Sequence, residues 1–195
     1  IAAQVQTAGQ LSPDAKYAYY FDKGNWYAYQ LATNKLLNVT AQVKGVRFDQ
    51  ETWSTPDEPA AWGVAGWTKG DKSVLIYDRF DVWELDPTGV KAPVMVTDSV
   101  GRREQLSFRL VDLNRDREED RFLDPAKPLY FRAFSEATKG SGFYRDRLDA
   151  KAVPEKIIFG DYAYGQPTKA KCADVYAMTR GTFIEFPSRR VGPSR

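Results

Sequence analysis

Lys16-Tyr17-Ala18-Tyr19-Tyr20-Phe21 runs into the turn cluster Asp22-Lys23-Gly24-Asn25 and out again as Trp26-Tyr27-Ala28-Tyr29. Aromatic residues suit a pleated, half-buried surface, and Asp, Gly and Asn supply the backbone freedom of a tight turn, so the stretch predicts a β-hairpin. Thr33-Asn34 breaks the chain before Lys35-Leu36-Leu37-Asn38-Val39-Thr40, a further short strand. Side chains that alternate across a pleat recur every second position, whereas a helical face recurs at three and four; here the period of two prevails.

The same grammar returns downstream. Asp71-Lys72-Ser73-Val74-Leu75-Ile76-Tyr77-Asp78 leads through Arg79-Phe80-Asp81 to Val82-Trp83-Glu84-Leu85-Asp86, then Pro87-Thr88-Gly89, then Val94-Met95-Val96-Thr97. An offset of 56 separates Lys16 from Lys72, Asp22 from Asp78 and Tyr27 from Trp83, and 57 separates Thr40 from Thr97. A third copy follows Lys127, with strands at 128–134, 143–145 and 154–159 about a turn at Lys139-Gly140-Ser141-Gly142. A fourth begins at Ala173-Asp174-Val175-Tyr176-Ala177-Met178, turns at Arg180-Gly181 and continues through Phe183-Ile184-Glu185-Phe186. Repeats of about 40–50 residues with several short strands each are the signature of propeller blades, which bury their faces by stacking on neighbours. The expected fold is all-β: a β-propeller segment of about three to four four-stranded antiparallel blades, incomplete. Its expected divisions are an N-terminal extension at 1–10, blades at roughly 11–60, 61–104, 105–160 and 161–187, and a flexible or foreign tail at 188–195.

Composition narrows the function. The 195 residues carry 28 Lys and Arg against 26 Asp and Glu. A net charge of +2 supplies no field to steer a polyanion, and residues 188–195 alone hold three of the arginines, so no nucleic-acid partner is expected. Hydrophobic residues at 43% and aromatics at 14% are too abundant for a disordered chain. Histidine is absent and Cys172 is the only cysteine. That removes Ser-His-Asp and Cys-His catalysis, an internal disulfide and a His/Cys zinc centre. The apolar runs are far shorter than the roughly 20 residues of a membrane-spanning helix, so no span is expected. No cofactor and no metal are expected either: Asp112-Leu113-Asn114-Arg115-Asp116 starts like a calcium loop, but Arg117 and Leu123 stand where that loop needs Gly and Glu.

Two insertions stand out. Residues 49–59 are acidic and contain two prolines and Trp53, which excludes helix and inner strand and marks a loop. The other, 102–121, opens on Arg102-Arg103-Glu104, predicts a strand over 105–111 and ends in a charged run. Glu104, Asp112, Glu118, Glu119 and Glu185 are carboxylates of the type a glycosidase pair uses, and all read equally as surface charge. Trp26, Trp67 and Trp83 are expected to pack between blades. Arg102, Arg103 and Trp53 are the candidate substrate-facing residues, since Arg forks a carboxylate and a rigid indole lines a groove.

Several motifs, in order, carry a resemblance. Leu11-Ser12-Pro13-Asp14 resembles the Ser-Pro-Asp-Gly turn of propeller repeats in the prolyl oligopeptidase and dipeptidyl peptidase IV group of serine peptidases, with Ala15 where Gly is usual. Gly63-Val64-Ala65-Gly66-Trp67-Thr68, Tyr77-Asp78-Arg79-Phe80-Asp81-Val82-Trp83, Gly140-Ser141-Gly142-Phe143-Tyr144-Arg145, Gly160-Asp161-Tyr162-Ala163-Tyr164-Gly165 and Phe183-Ile184-Glu185-Phe186-Pro187 are similar to bacterial members of that group. The resemblance spans residues 11–187. It implies a propeller that screens peptide substrates for an α/β-hydrolase domain, and export to a periplasm or beyond. That hydrolase is not in this chain: no Gly-x-Ser-x-Gly elbow occurs, and Gly140-Ser141-Gly142 lacks its spacing and is placed by the pattern in a hairpin turn. The expected partners are therefore a peptide substrate, the parent's hydrolase domain and, through open blade edges, further copies of the chain. The alternative is a stand-alone propeller that binds a protein or a glycan.

Overall fold

The computed structural model describes residues 9–51, 54–113, 122–170, 172–173, 175–182 and 184–193. It is all-β, with four four-stranded antiparallel sheets in succession along the chain, the pattern of an incomplete β-propeller. They fall into two compact units, one running to Met95 and including residues 122–124, the other holding the rest from Val96 onward.

The first unit contains two sheets. β1 (Gln10–Leu11), β2 (Tyr17–Asp22), β3 (Asn25–Gln30) and β4 (Lys35–Asn38) form one meander, and β5 (Val64–Trp67), β6 (Val74–Tyr77), β7 (Val82–Leu85) and β8 (Val94–Met95) form the other. The predicted hairpin closes with Asp22 opposite Asn25 and Phe21 opposite Trp26. Its counterpart closes on the buried Asp78, which accepts the amides of Phe80 and Asp81 at 2.7 Å each and the Trp83 indole Nε1–H at 3.0 Å. Tyr17, Phe21, Trp26 and Val39 from the first sheet pack with Trp67, Val74, Ile76 and Leu85 from the second in one buried cluster. Within it Tyr17 stacks on Trp67 at 5.7 Å between ring centroids. Trp26 and Trp67 are buried and Trp83 packs half-buried against them, as the sequence leads one to expect.

The two turns that precede β2 and β6 also match. Ala15 and Asp71 sit 56 residues apart and both adopt left-handed backbone, at φ 54° and 53°. Glycine reaches this conformation at least cost, yet neither copy of the turn carries one at this position. Asp71 uses its otherwise costly conformation to reach the first turn: its buried carboxylate accepts Ser12 Oγ–H at 2.5 Å and the backbone N–H groups of Asp14 and Lys16 at 3.2 and 3.3 Å.

The second unit holds α1 (Val100–Glu104) and two more sheets. β9 (Leu106–Leu110), β10 (Leu129–Ser135), β11 (Ser141–Asp146) and β12 (Glu155–Gly160) repeat the meander. Phe108 meets Phe131 and Tyr144 edge-on at its centre. The last sheet comprises β13 (Ala163–Tyr164), β14 (Thr168–Lys169), β15 (Val175–Gly181) and β16 (Ser188–Pro193). β13 and β14 lie end to end along one edge of β15, and β16 takes the other edge.

Three expectations change here. Residues 188–193, read as a tail, are paired along β15 from Ser188 opposite Arg180 to Pro193 opposite Val175. The strand expected at 183–186 is accordingly displaced: Ile184 and Phe186 lie in the hairpin loop, 94% and 98% exposed. Ser141 and Gly142, read as turn residues, are the first two residues of β11. Glycine stands there because a Cβ on Gly142 would come within 2.0 Å of the Ile158 carbonyl oxygen, so close do β11 and β12 run. No helix among the described residues is long and apolar enough to cross a membrane.

Candidate functional site

Two cavities among the described residues of the second unit depend on β11. Alternate residues of a strand face opposite sides, so Phe143 and Asp146 are delivered to different surroundings by one short segment.

The first cavity, of about 190 Å³, is lined by Leu113, Tyr130, Phe143, Ile157, Tyr176 and Met178, with Arg190 of β16 among its other residues. The Tyr130 and Tyr176 hydroxyls are 3.3 Å apart and their rings 5.9 Å. Lys169 Nζ lies 5.6 Å from the Tyr176 ring, a cation–π contact that keeps this apolar pocket edged with positive charge.

The second cavity, of about 360 Å³, lies where β11 ends and is lined by Arg145, Asp146, Arg147, Val153, Glu155 and Pro128. Arg145 Nη2 pairs with Glu155 at 2.7 Å and Arg147 Nη2 with Asp149 at 2.6 Å. Asp146, 6% exposed, accepts the Arg147 amide through Oδ1 at 2.7 Å, while its buried Oδ2 has no donor among the described residues. Burial, with the Asp98 charge as a lesser cause, pushes its carboxyl up to about 6 against the opposing pull of the Arg147 amide.

Counted from Asn25, Asp81 and Ser141, the sixth residues of the third-strand run are Gln30, Asp86 and Asp146. Asp86 caps its own turn, accepting the Thr88 amide at 2.8 Å, the Thr88 hydroxyl at 2.7 Å and the Lys91 amide at 2.9 Å. Two residues beyond Asp146 stands Leu148, which has no hydroxyl to offer. The third blade thus keeps the carboxylate and drops a donor that satisfies it in the second.

Because the folded value of Asp146 exceeds the ordinary 3.8, the folded protein holds this proton more tightly than the unfolded chain. The stability it contributes is full below about pH 3.8 and is lost as pH rises through about 6. Asp146→Asn should therefore raise stability at pH 7.5 by about 2 kcal/mol and leave it nearly unchanged at pH 4. Urea unfolding of both proteins at the two pH values checks this; an equal effect at both would show that Asp146 does not titrate with folding.

Arg102 and Arg103 lie on α1, and neither lines either cavity. Arg103 Nη2 is 3.6 Å from Glu104 Oε1 on the surface, and the Arg102 carbonyl accepts Gln105 Nε2–H at 2.9 Å. Trp53, like most of the 112–123 calcium-like run, lies outside the described residues. Among the described residues no three His, Cys, Asp or Glu side chains gather to hold a metal ion. The signal for Asp146 that was there to read was the exchange of Thr88 for Leu148 in register.

Comparison with known proteins yields little. No protein-family model matches the chain, and no curated protein matches it. Among solved structures it is similar to a chain of Agrobacterium tumefaciens assigned as TolB, at 16% identity over 95% of this chain and 76% of that one, with a TM-score of 0.38. The fold therefore rests on the sheets themselves.

Proposed function

We propose that this chain is the noncatalytic β-propeller segment of a prolyl-oligopeptidase-like serine peptidase of the periplasm or exterior, gating or orienting peptide substrates for a hydrolase domain it does not itself contain. The observation that carries the reading is the ordered motif series from Leu11 to Pro187 in a chain that has no histidine at all. Without a general base of that type the family's acyl transfer must be run elsewhere, which leaves recognition as the segment's task.

The test compares this chain with its full-length parent, using fluorogenic dipeptides and a fluorophosphonate probe of activated serine. Labelling and turnover in the parent alone are expected. Silence in both would overturn the peptidase reading in favour of a stand-alone binding propeller. The cavity at the end of β11 is the observation that favours that second reading, because it is a concave site lined by convergent polar groups.

A further inference from the structure

The cavity at the end of β11 is a site whose chemistry is legible. Asp146 is more than nine-tenths buried, lines the cavity and leaves Oδ2 without a donor. A buried acceptor in this condition is costly, more so when charged, so its place beside an open cavity calls for a donor from outside the chain.

The flanking charges decide what kind of donor. Arg145 and Arg147 adjoin Asp146 in sequence, and Glu155 and Asp149 hold their guanidinium groups. An organic cation reaching Oδ2 would bring a third positive group into a cavity that Arg145 and Arg147 already line. An anion would meet Asp146, Glu155 and, by its field, Asp98. A neutral polyhydroxyl ligand suffers neither penalty. One hydroxyl donates to Asp146 Oδ2, and a neighbouring oxygen accepts from Arg147, whose Nε and Nη2 are committed to Asp149 while Nη1 bonds nothing among the described residues. Pro128, Ala150, Ala152 and Val153 give the C–H face of a pyranose an aliphatic wall, and about 360 Å³ admits a ring of that size.

We infer that the Asp146–Arg147 cavity at the β11 end is a carbohydrate-binding subsite that takes one neutral sugar ring. The inference deepens the stand-alone binding reading by naming its ligand class and place, and it does not depend on whether a hydrolase accompanies the chain.

The test is saturation-transfer NMR and amide titration of the full chain with glucose, galactose, N-acetylglucosamine and maltose, alongside n-butylammonium and acetate. At least one sugar is expected to bind with Kd of about 1 mM, shifting the amides of Arg145 to Glu155. Asp146→Ala should weaken it at least tenfold, and so should Arg147→Ala, an exposed position at which the fold has little to lose. Binding of none of the sugars by the folded protein, sugar binding that survives both substitutions, or binding of butylammonium or acetate at these amides in place of sugar would each overturn the inference. Failure here with a protein ligand found elsewhere would leave the binding-propeller reading intact, so the two readings fail separately.

Discussion

Asp71→Ala should cost about 3 kcal/mol and lower the melting temperature by roughly 10 °C, while Ser12→Ala at the other end of the same contact costs about 1 kcal/mol. Asp71 is 1% exposed, and its carboxylate gathers Ser12 Oγ–H and two backbone amides from the turn of the neighbouring sheet. Ser12 Oγ in turn accepts the Tyr17 amide at 3.0 Å, so the carboxylate orders the first turn through a relay. Charge-assisted hydrogen bonds are roughly twice as strong as neutral ones, and truncation leaves three buried or half-buried donors without their acceptor. Asp71→Asn separates these contributions: Asn tolerates the left-handed backbone and keeps one acceptor oxygen, so about half the loss should return. Urea unfolding, with hydrogen exchange at the Asp14 and Lys16 amides, reads both effects. Unchanged protection of those amides in Asp71→Ala would show that the contact does not order the turn.

That contact marks the boundary of what the sequence discloses. Alternating aromatics at 17–21 and 26–29 name the hairpin because burial of one face demands the period. The 56-residue offset names the second blade, since equal spacing of Lys, Asp and aromatic landmarks reflects one supersecondary unit repeated. Nothing in the offset shows that Asp71, standing where Ala15 stands in the first copy, reaches back to Ser12, because a side chain's partner across sheets is set by packing and not by spacing. β16 was illegible for a related reason. Ser188-Arg189-Arg190-Val191-Gly192-Pro193 has neither a buried face nor strand-forming composition, and is a strand by virtue of the β15 edge it pairs with.

The helix that carries the arginine pair was not legible, and the reason lies in the backbone. Asp98, Ser99 and Gln105 take positive φ values of 46°, 61° and 55° without a glycine among them, and so bracket the five residues of α1. Left-handed residues of this kind are uncommon and carry no sequence warning. The Asp146 cavity was hidden differently: a carboxylate is conspicuous in sequence, but a missing donor is not, and the site is defined by what Leu148 fails to provide.

Gly142→Ala should destabilise the second unit by more than about 4 kcal/mol, enough to abolish its native packing. The cause is contact rather than conformation, since Gly142 is not in the left-handed region. An added Cβ would lie 2.0 Å from the Ile158 oxygen, 2.6 Å from Phe159 Cα and 2.8 Å from the Ile158 carbonyl carbon. All three are backbone atoms of the paired strand and cannot turn aside as a flexible side chain would. Relief requires β12 to move off β11, which breaks the pairing of Gly142 with Phe159 and of Phe143 with Ile158 beside a register shift already present after Phe143. Phe143 and Ile158 belong to the unit's buried cluster, so the displacement opens the core and the apolar cavity with it. Gly192→Ala is the matched control, because a Cβ there meets nothing within 4 Å. It should change stability by less than about 0.5 kcal/mol. Near-ultraviolet circular dichroism and denaturant unfolding of the two variants decide the matter, and a Gly142→Ala protein with native spectrum and midpoint would mean that β11 and β12 do not approach as closely as this glycine requires.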